Sequence, residues 1–143
     1  MAGRKRKNIL VDSDAWVALA KKNDSNHHTA IDIMESLERQ SVSLITTNYV
    51  FAESVTVISQ RVGHKVALRY IASLKQPESS LAIIWISEHI ERAAIDIFSR
   101  QTSKNISFVD CTNMAVMDSL HVDTIFSFDQ IYAKKGYKLV KQE

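Results

Sequence analysis

Two hydrophobic periods alternate along this chain, one suited to short buried strands and one to helices. Ile9-Leu10-Val11 leads into Asp12 without in–out alternation, which predicts a strand buried on both faces over residues 8–12. Ala15-Trp16-Val17-Ala18-Leu19 then starts a short helix, and Asn23-Asp24-Ser25-Asn26 makes a polar turn. Over residues 27–39, Ala30, Ile33, Met34 and Leu37 recur at helical spacing. Residues 42–46 read as a second strand. Thr47 or Asn48 can cap a helix running to about residue 62, where Gly63 breaks it. A further helix over residues 65–74 ends before Pro77.

Residues 81–86 read as a third strand, and Ser87 caps a helix with Ile90, Ala93, Ala94 and Ile97 on one face. The apolar run ahead of Asp110 reads as a buried strand, and Asp110 opens a helix containing Met114, Ala115, Met117 and Leu120. Residues 124–128 form another strand, and Lys138-Leu139-Val140 an edge strand. Strand and helix alternate throughout. That pattern predicts an α/β fold, with a mostly parallel central sheet of four to five strands and helices on both faces.

At 143 residues the chain fits one domain, read as a basic tail over residues 1–7 and a single domain over residues 8–143. Three Gly and one Pro argue against a turn-rich all-β fold. The single cysteine, Cys111, excludes an internal disulfide framework and fits a reducing cytoplasm. No apolar run approaches the ~20 residues of a membrane span, and no apolar segment of a signal peptide follows the basic start. Of 18 basic and 16 acidic residues, Arg4, Lys5, Arg6 and Lys7 supply four of the basic ones, leaving 14 against 16 in the remainder. Positive charge thus gathers in the tail and in Lys134, Lys135, Lys138 and Lys141, where it could hold a phosphate backbone beside an acidic pocket.

That pocket is the candidate chemistry. Asp12, Asp110 and Asp129 each follow an apolar run, and Glu53 lies on an otherwise apolar helical segment, sharing a face with Tyr49, Val50 and Val57. An open α/β sheet collects its site at the carboxyl ends of its strands, so these distant acids can meet. Several carboxylates stay ionised in one pocket only with a cation, and hard oxygen ligands without a His/Cys cluster select Mg²⁺ or Mn²⁺. Each acid also has a plainer reading: Asp12, Ser13 or Asp14 as a helix cap, Asp110 at a helix N-terminus, Asp129 in a turn, and Glu53 paired with Arg61. Thr112 and Asn113 can orient a carboxylate or merely satisfy the first helical turn. Trp16 and Trp85 read as core, and Tyr132 and Tyr137, among lysines, as weak candidates for RNA contact.

The order Val11-Asp12-Ser13-Asp14-Ala15-Trp16, Thr46-Thr47-Asn48-Tyr49-Val50-Phe51-Ala52-Glu53, Ser107-Phe108-Val109-Asp110-Cys111-Thr112-Asn113 and Phe126-Ser127-Phe128-Asp129 resembles a PIN domain. It is similar in particular to the VapC-type ribonuclease toxins of toxin–antitoxin pairs. The resemblance implies a three-layer α/β/α fold and metal-dependent hydrolysis of RNA phosphodiester bonds with Mg²⁺ or Mn²⁺. Asp12, Glu53, Asp110 and Asp129 match the family's acidic positions, and Ser13 its small hydroxyl residue. It also implies a small cognate antitoxin, a cytoplasmic setting and a possible homodimer. Asp14 stands where Ser or Thr is common. Two rivals remain. Asp12-Ser13-Asp14 after a strand also resembles the first motif of haloacid-dehalogenase-type phosphatases, although a downstream Lys with paired acids is missing. The other rival is a non-catalytic RNA-binding PIN domain.

Overall fold

In the computed structural model, which describes residues 6–141, the first strand β1 (Asn8–Val11) is the middle of the sheet. Helices α1 (Ser13–Ala20) and α2 (His27–Arg39) lead to β2 (Ser43–Thr47), and α3 (Asn48–Arg61) and α4 (His64–Leu74) lead to β3 (Leu81–Ile84). Helices α5 (Glu88–Arg100) and α6 (Phe108–Leu120) then cross to β4 (Thr124–Phe126), and the short α7 (Ile131–Lys134) precedes β5 (Lys138–Leu139). The five strands lie in the order β3-β2-β1-β4-β5, and every pairing is parallel. The α/β expectation is borne out, as is the edge strand near residue 139.

β1 lacks alternation because both its faces are covered. Leu10 packs with Ile45, Ile125, α5 and α6 on one side. Ile9 and Val11 pack with Leu44, Phe126, α1 and α2 on the other. A satellite cluster joins Val17, Ile58, Ala67 and Tyr70 under α1, α3 and α4. Thr47 caps α3 by accepting from the Val50 amide at 3.0 Å, and Ser87 caps α5 as predicted. Among the described residues no helix is long and apolar enough to cross a membrane.

One predicted strand is absent. The run ahead of Asp110 starts α6 at Phe108, with Ser107 as N-cap and Asp110 three residues in. Ser107 and Asp110 form a reciprocal capping box, and Ile106 and Cys111 flank it within one core cluster as a hydrophobic staple. The apolar residues there serve a helix start, so the helix opens before Asp110 rather than at it. Trp85 is a second correction: it lies outside the core, 74% exposed, just past the end of β3.

Candidate active site

The sheet order reverses between β1 and β4, since β2 and β3 lie to one side of β1 and β4 and β5 to the other. At such a switch point the connections diverge and leave a crevice above the carboxyl ends. Asp12 directly follows β1 and is tied to β4 by its amide, which donates to the Phe126 carbonyl at 3.0 Å. Its carboxylate is 5% exposed and accepts four hydrogen bonds. Oδ1 accepts from the Ser13 amide at 2.8 Å and Asn113 Nδ2 at 3.1 Å. Oδ2 accepts from Ser127 Oγ at 3.1 Å and Tyr132 Oη at 3.0 Å. Asp12 therefore caps α1 and also anchors the crevice.

Asp110 arrives from the first turn of α6. Its Oδ2 accepts from the Ser107 amide at 2.8 Å, while Oδ1 accepts from Tyr132 Oη at 3.0 Å. A single hydroxyl thus stands between two carboxylates almost a hundred positions apart in sequence. Asp14 joins from α1: its Oδ2 accepts from the Phe128 amide at 2.9 Å and from Ser127 Oγ at 3.2 Å. Asp14 Oδ1 is buried without a partner.

Protons are short here. Tyr132 Oη carries one proton yet touches two carboxylates, and Asn113 Nδ2 already donates to it at 3.0 Å. Ser127 Oγ likewise faces both Asp12 and Asp14. One carboxyl of such a set is held protonated. Burial, then the neighbouring charges of Asp14 and Asp110, push Asp12 up to about 7, against the opposing amide of Ser13. Asp14 is also raised, first by burial, with the charge of Asp129 adding to it. Burial and the two acids raise Tyr132 as well, so its hydroxyl stays a neutral donor.

The remaining predicted residues divide. Asp129 is half-buried and accepts from the Ile131 amide at 3.1 Å, in the turn that precedes α7 at the edge of the cluster. Asn113 is fully buried and orients Asp12, as one of its two readings had it. Thr112 takes the other reading: its hydroxyl donates to the Val109 carbonyl at 2.7 Å within its own helix. Ser13 contributes its backbone amide. Glu53 is exposed on α3 and has no hydrogen bond or ion pair among the described residues. The buried face of α3 is Val50, Ser54 and Ile58, so the premise that Glu53 lies buried on an apolar stripe is corrected.

Arg4 and Lys5 lie outside the described residues. Lys7 precedes β1 and pairs with Asp123, which precedes β4, at 3.9 Å. Five residues at ~3.3 Å each place Lys7 roughly 16 Å from Asp12, at the opposite edge of the sheet. Proximity in sequence therefore does not bring Lys7 itself to the acids.

Two contributors were missed. Ser127 stood in a quoted stretch as the one polar residue inside an apolar run, which was a usable signal. Tyr132, read as a weak RNA contact, is fully buried among the acids; its role depends on α7 folding back over α6 and left no local signature.

A fully parallel α/β/α sheet with Asp12, Asp14, Asp110 and Asp129 gathered near its β1/β4 switch point is the arrangement that the resemblance to PIN domains implies. Comparison with known proteins agrees. The chain is similar to the 23S rRNA-specific endonuclease VapC20 from two strains of Mycobacterium tuberculosis, each 27% identical over 135 residues, covering 94% of this chain and 99% of the relative. It also matches the crystal structure of Mycobacterium tuberculosis VapC20, described as a sarcin-ricin loop cleaving toxin. That match has a TM-score of 0.79 and 26% identity, and covers 90% of this chain and 95% of that one. No family model matches the chain. The resemblance to VapC-type PIN proteins holds in fold and over nearly the whole length.

Proposed function

We propose that the chain is a metal-dependent endoribonuclease and the toxin of a toxin–antitoxin pair, hydrolysing RNA phosphodiester bonds at the crevice around Asp12. The observation that carries this reading is the meeting of Asp12 and Asp110 on one buried hydroxyl at the sheet's switch point. The similar VapC20 proteins, named for 23S rRNA, make ribosomal RNA the first substrate to test.

The donors facing the crevice are hard oxygens, and Asp14 Oδ1 is a buried acceptor with nothing to accept from. Among the described residues no three His, Cys, Asp or Glu side chains close around a common point. A cage of four carboxylates is therefore not preformed. Mg²⁺ and Mn²⁺ suit a more open arrangement, because Mg²⁺ keeps several waters and needs only one or two carboxylates. Asp12 and Asp110 would hold the ion, with Asp14, Asp129 and Glu53 as acids around it. When bound, the ion supplies Lewis-acid polarisation of the phosphate and charge for the leaving oxygen. Asn113 Nδ2 and the Ser13 amide fix the Asp12 carboxylate, and Tyr132 Oη keeps Asp12 and Asp110 in register.

Cleavage of ribosomal RNA should therefore require added Mg²⁺ or Mn²⁺ and fall to background in excess EDTA. Undiminished cleavage under chelation would sink the metal mechanism.

As a toxin of such a pair, the chain would be held by a protein inhibitor, and an exposed groove supports this reading. Trp16, Leu19, Met34, Val66, Tyr70 and Leu74 line a largely apolar groove of about 600 Å³ between α1, α2 and α4. An apolar helix of a cognate antitoxin would bury that surface, and an Arg or Lys extending from it would enter the acidic crevice in place of the cation. The purified complex should cleave at least about 10-fold more slowly than the free chain, which corresponds to about 1.4 kcal/mol. Equal metal binding and cleavage by both would contradict this. A cytoplasmic location fits the free, buried Cys111 and belongs to the same proposal.

A further inference from the structure

We infer that Trp85 forms a nucleobase-stacking subsite beside the acidic crevice, taking an unpaired base of the RNA whose backbone passes Asp12. The inference rests on the nuclease reading above and adds to it a ligand-binding residue outside the acids. The strand register gives its position. Leu10 pairs with Ile45 and Thr47 with Ile84, so Asp12, Thr47 and Ile84 fall on one row across the carboxyl edge of β1, β2 and β3. Trp85 is the next residue after that row. Two strand spacings of ~4.8 Å put the Trp85 backbone roughly 10 Å from that of Asp12, one to two nucleotides along a strand crossing the carboxyl edge of the sheet.

Its exposure is built into the backbone. Ile84 is held in the sheet ladder, and the Ile86 amide donates to Asn48 Oδ1 at 2.7 Å. Ser87 then caps α5 by accepting from the Ile90 amide at 3.2 Å. Ile84 and Ile86 pack into the core with α5 and α6, while Trp85 between them is 74% exposed and stacks on no ring among the described residues. Trp16, by contrast, lies over Tyr70 at 5.5 Å between ring centroids. The acids near Trp85 are both engaged: Glu88 pairs with Arg92, and Glu91 accepts from Tyr49 Oη at 2.7 Å. What the loop presents is therefore an indole face on a fixed base, the form that binds unpaired bases without sequence readout.

The test reads binding in EDTA, so that it does not depend on cleavage. The full chain, Trp85→Phe and Trp85→Ala are titrated with a short oligoadenylate and with an abasic oligoribonucleotide of the same length. Trp85→Ala should weaken oligoadenylate binding roughly 5- to 100-fold, with Trp85→Phe between it and wild type. Both variants should bind the abasic strand as wild type does, and oligoadenylate should quench wild-type tryptophan fluorescence. Wild-type affinity of Trp85→Ala for oligoadenylate would overturn the subsite. So would an equal loss on both strands, which marks a backbone contact. Loss of self-association with RNA binding intact would also overturn it, marking a protein contact. The two readings fail separately. A chain that binds bases through Trp85 but cleaves nothing refutes only the nuclease reading, and one that cleaves RNA with no role for Trp85 in binding refutes only the subsite.

Discussion

Asp12→Asn and Asp110→Asn should each reduce RNA cleavage by about 100-fold or more, while melting in EDTA shows folds at least as stable as wild type. Each substitution removes one of the two negative charges proposed to position the cation, and electrostatic stabilisation by such an ion contributes several kcal/mol. The fold should tolerate both. In Asp12→Asn the remaining side-chain oxygen can still accept from the Ser13 amide and Asn113, while the new amide group donates to Ser127 and Tyr132, whose hydroxyls also accept. In Asp110→Asn the side-chain oxygen can still accept from the Ser107 amide. The loss of a negative charge at the α6 N-terminus costs about 0.3–1 kcal/mol, offset by relief of repulsion with Asp12. Well-folded variants that cleave at the wild-type rate would remove both residues from the proposed machinery.

The second large effect is a fall in metal-free stability as the solution becomes less acidic. Asp12 titrates at about 7 in the fold against 3.8 for an unperturbed aspartate. The folded state therefore binds more protons than the unfolded state between those values, and stability declines as pH rises from about 4 to about 7, then levels off. Asp14, also raised, adds in the same direction. Asp123 is lowered by its Thr124 hydroxyl bond and by Lys138 and Lys7, so its contribution is lost only below pH 4, outside this window. Going from pH 5 to pH 8 in EDTA should lower the melting temperature of wild type by about 5 °C or more. Asp12→Asn should lose less, and Mg²⁺ or Mn²⁺ should restore wild type most at the higher pH. The same drop in wild type and Asp12→Asn would show that the penalty lies elsewhere.

How far the sequence discloses this site depends on the range of the interaction involved. The run ending in Asp12 was legible because a strand covered on both faces needs an uninterrupted apolar segment. The acid at residue 110 was legible too, but its setting was misread. Ile106, Phe108 and Val109 resemble a buried strand unless the Ser107-to-Asp110 spacing of a capping box is weighed first. The exposure of Glu53 was hidden for a related reason: α3 has apolar residues on several sides, and only packing selects Val50, Ser54 and Ile58 as the buried face. Trp85 was assigned to the core by residue type, yet it falls where an edge strand ends. Tyr132 was beyond local reading altogether. Its partners Asp12, Asn113 and Asp110 come from two other segments that only the crossover through α5 and α6 brings beside it.

The two duties of Asp110 bear on how this chain can tolerate insertions and deletions. One oxygen closes the α6 cap while the other faces Tyr132, so the spacing from Ser107 to Asp110 sets helix start and site together. Residues between α5 and Ser107 carry no such constraint until Ile106 buries against the core. Loop length should therefore vary freely before Ile106 and not at all from Ser107 to Asp110. A single added residue in that short interval would turn the carboxylate away from the crevice and uncap the helix in the same event.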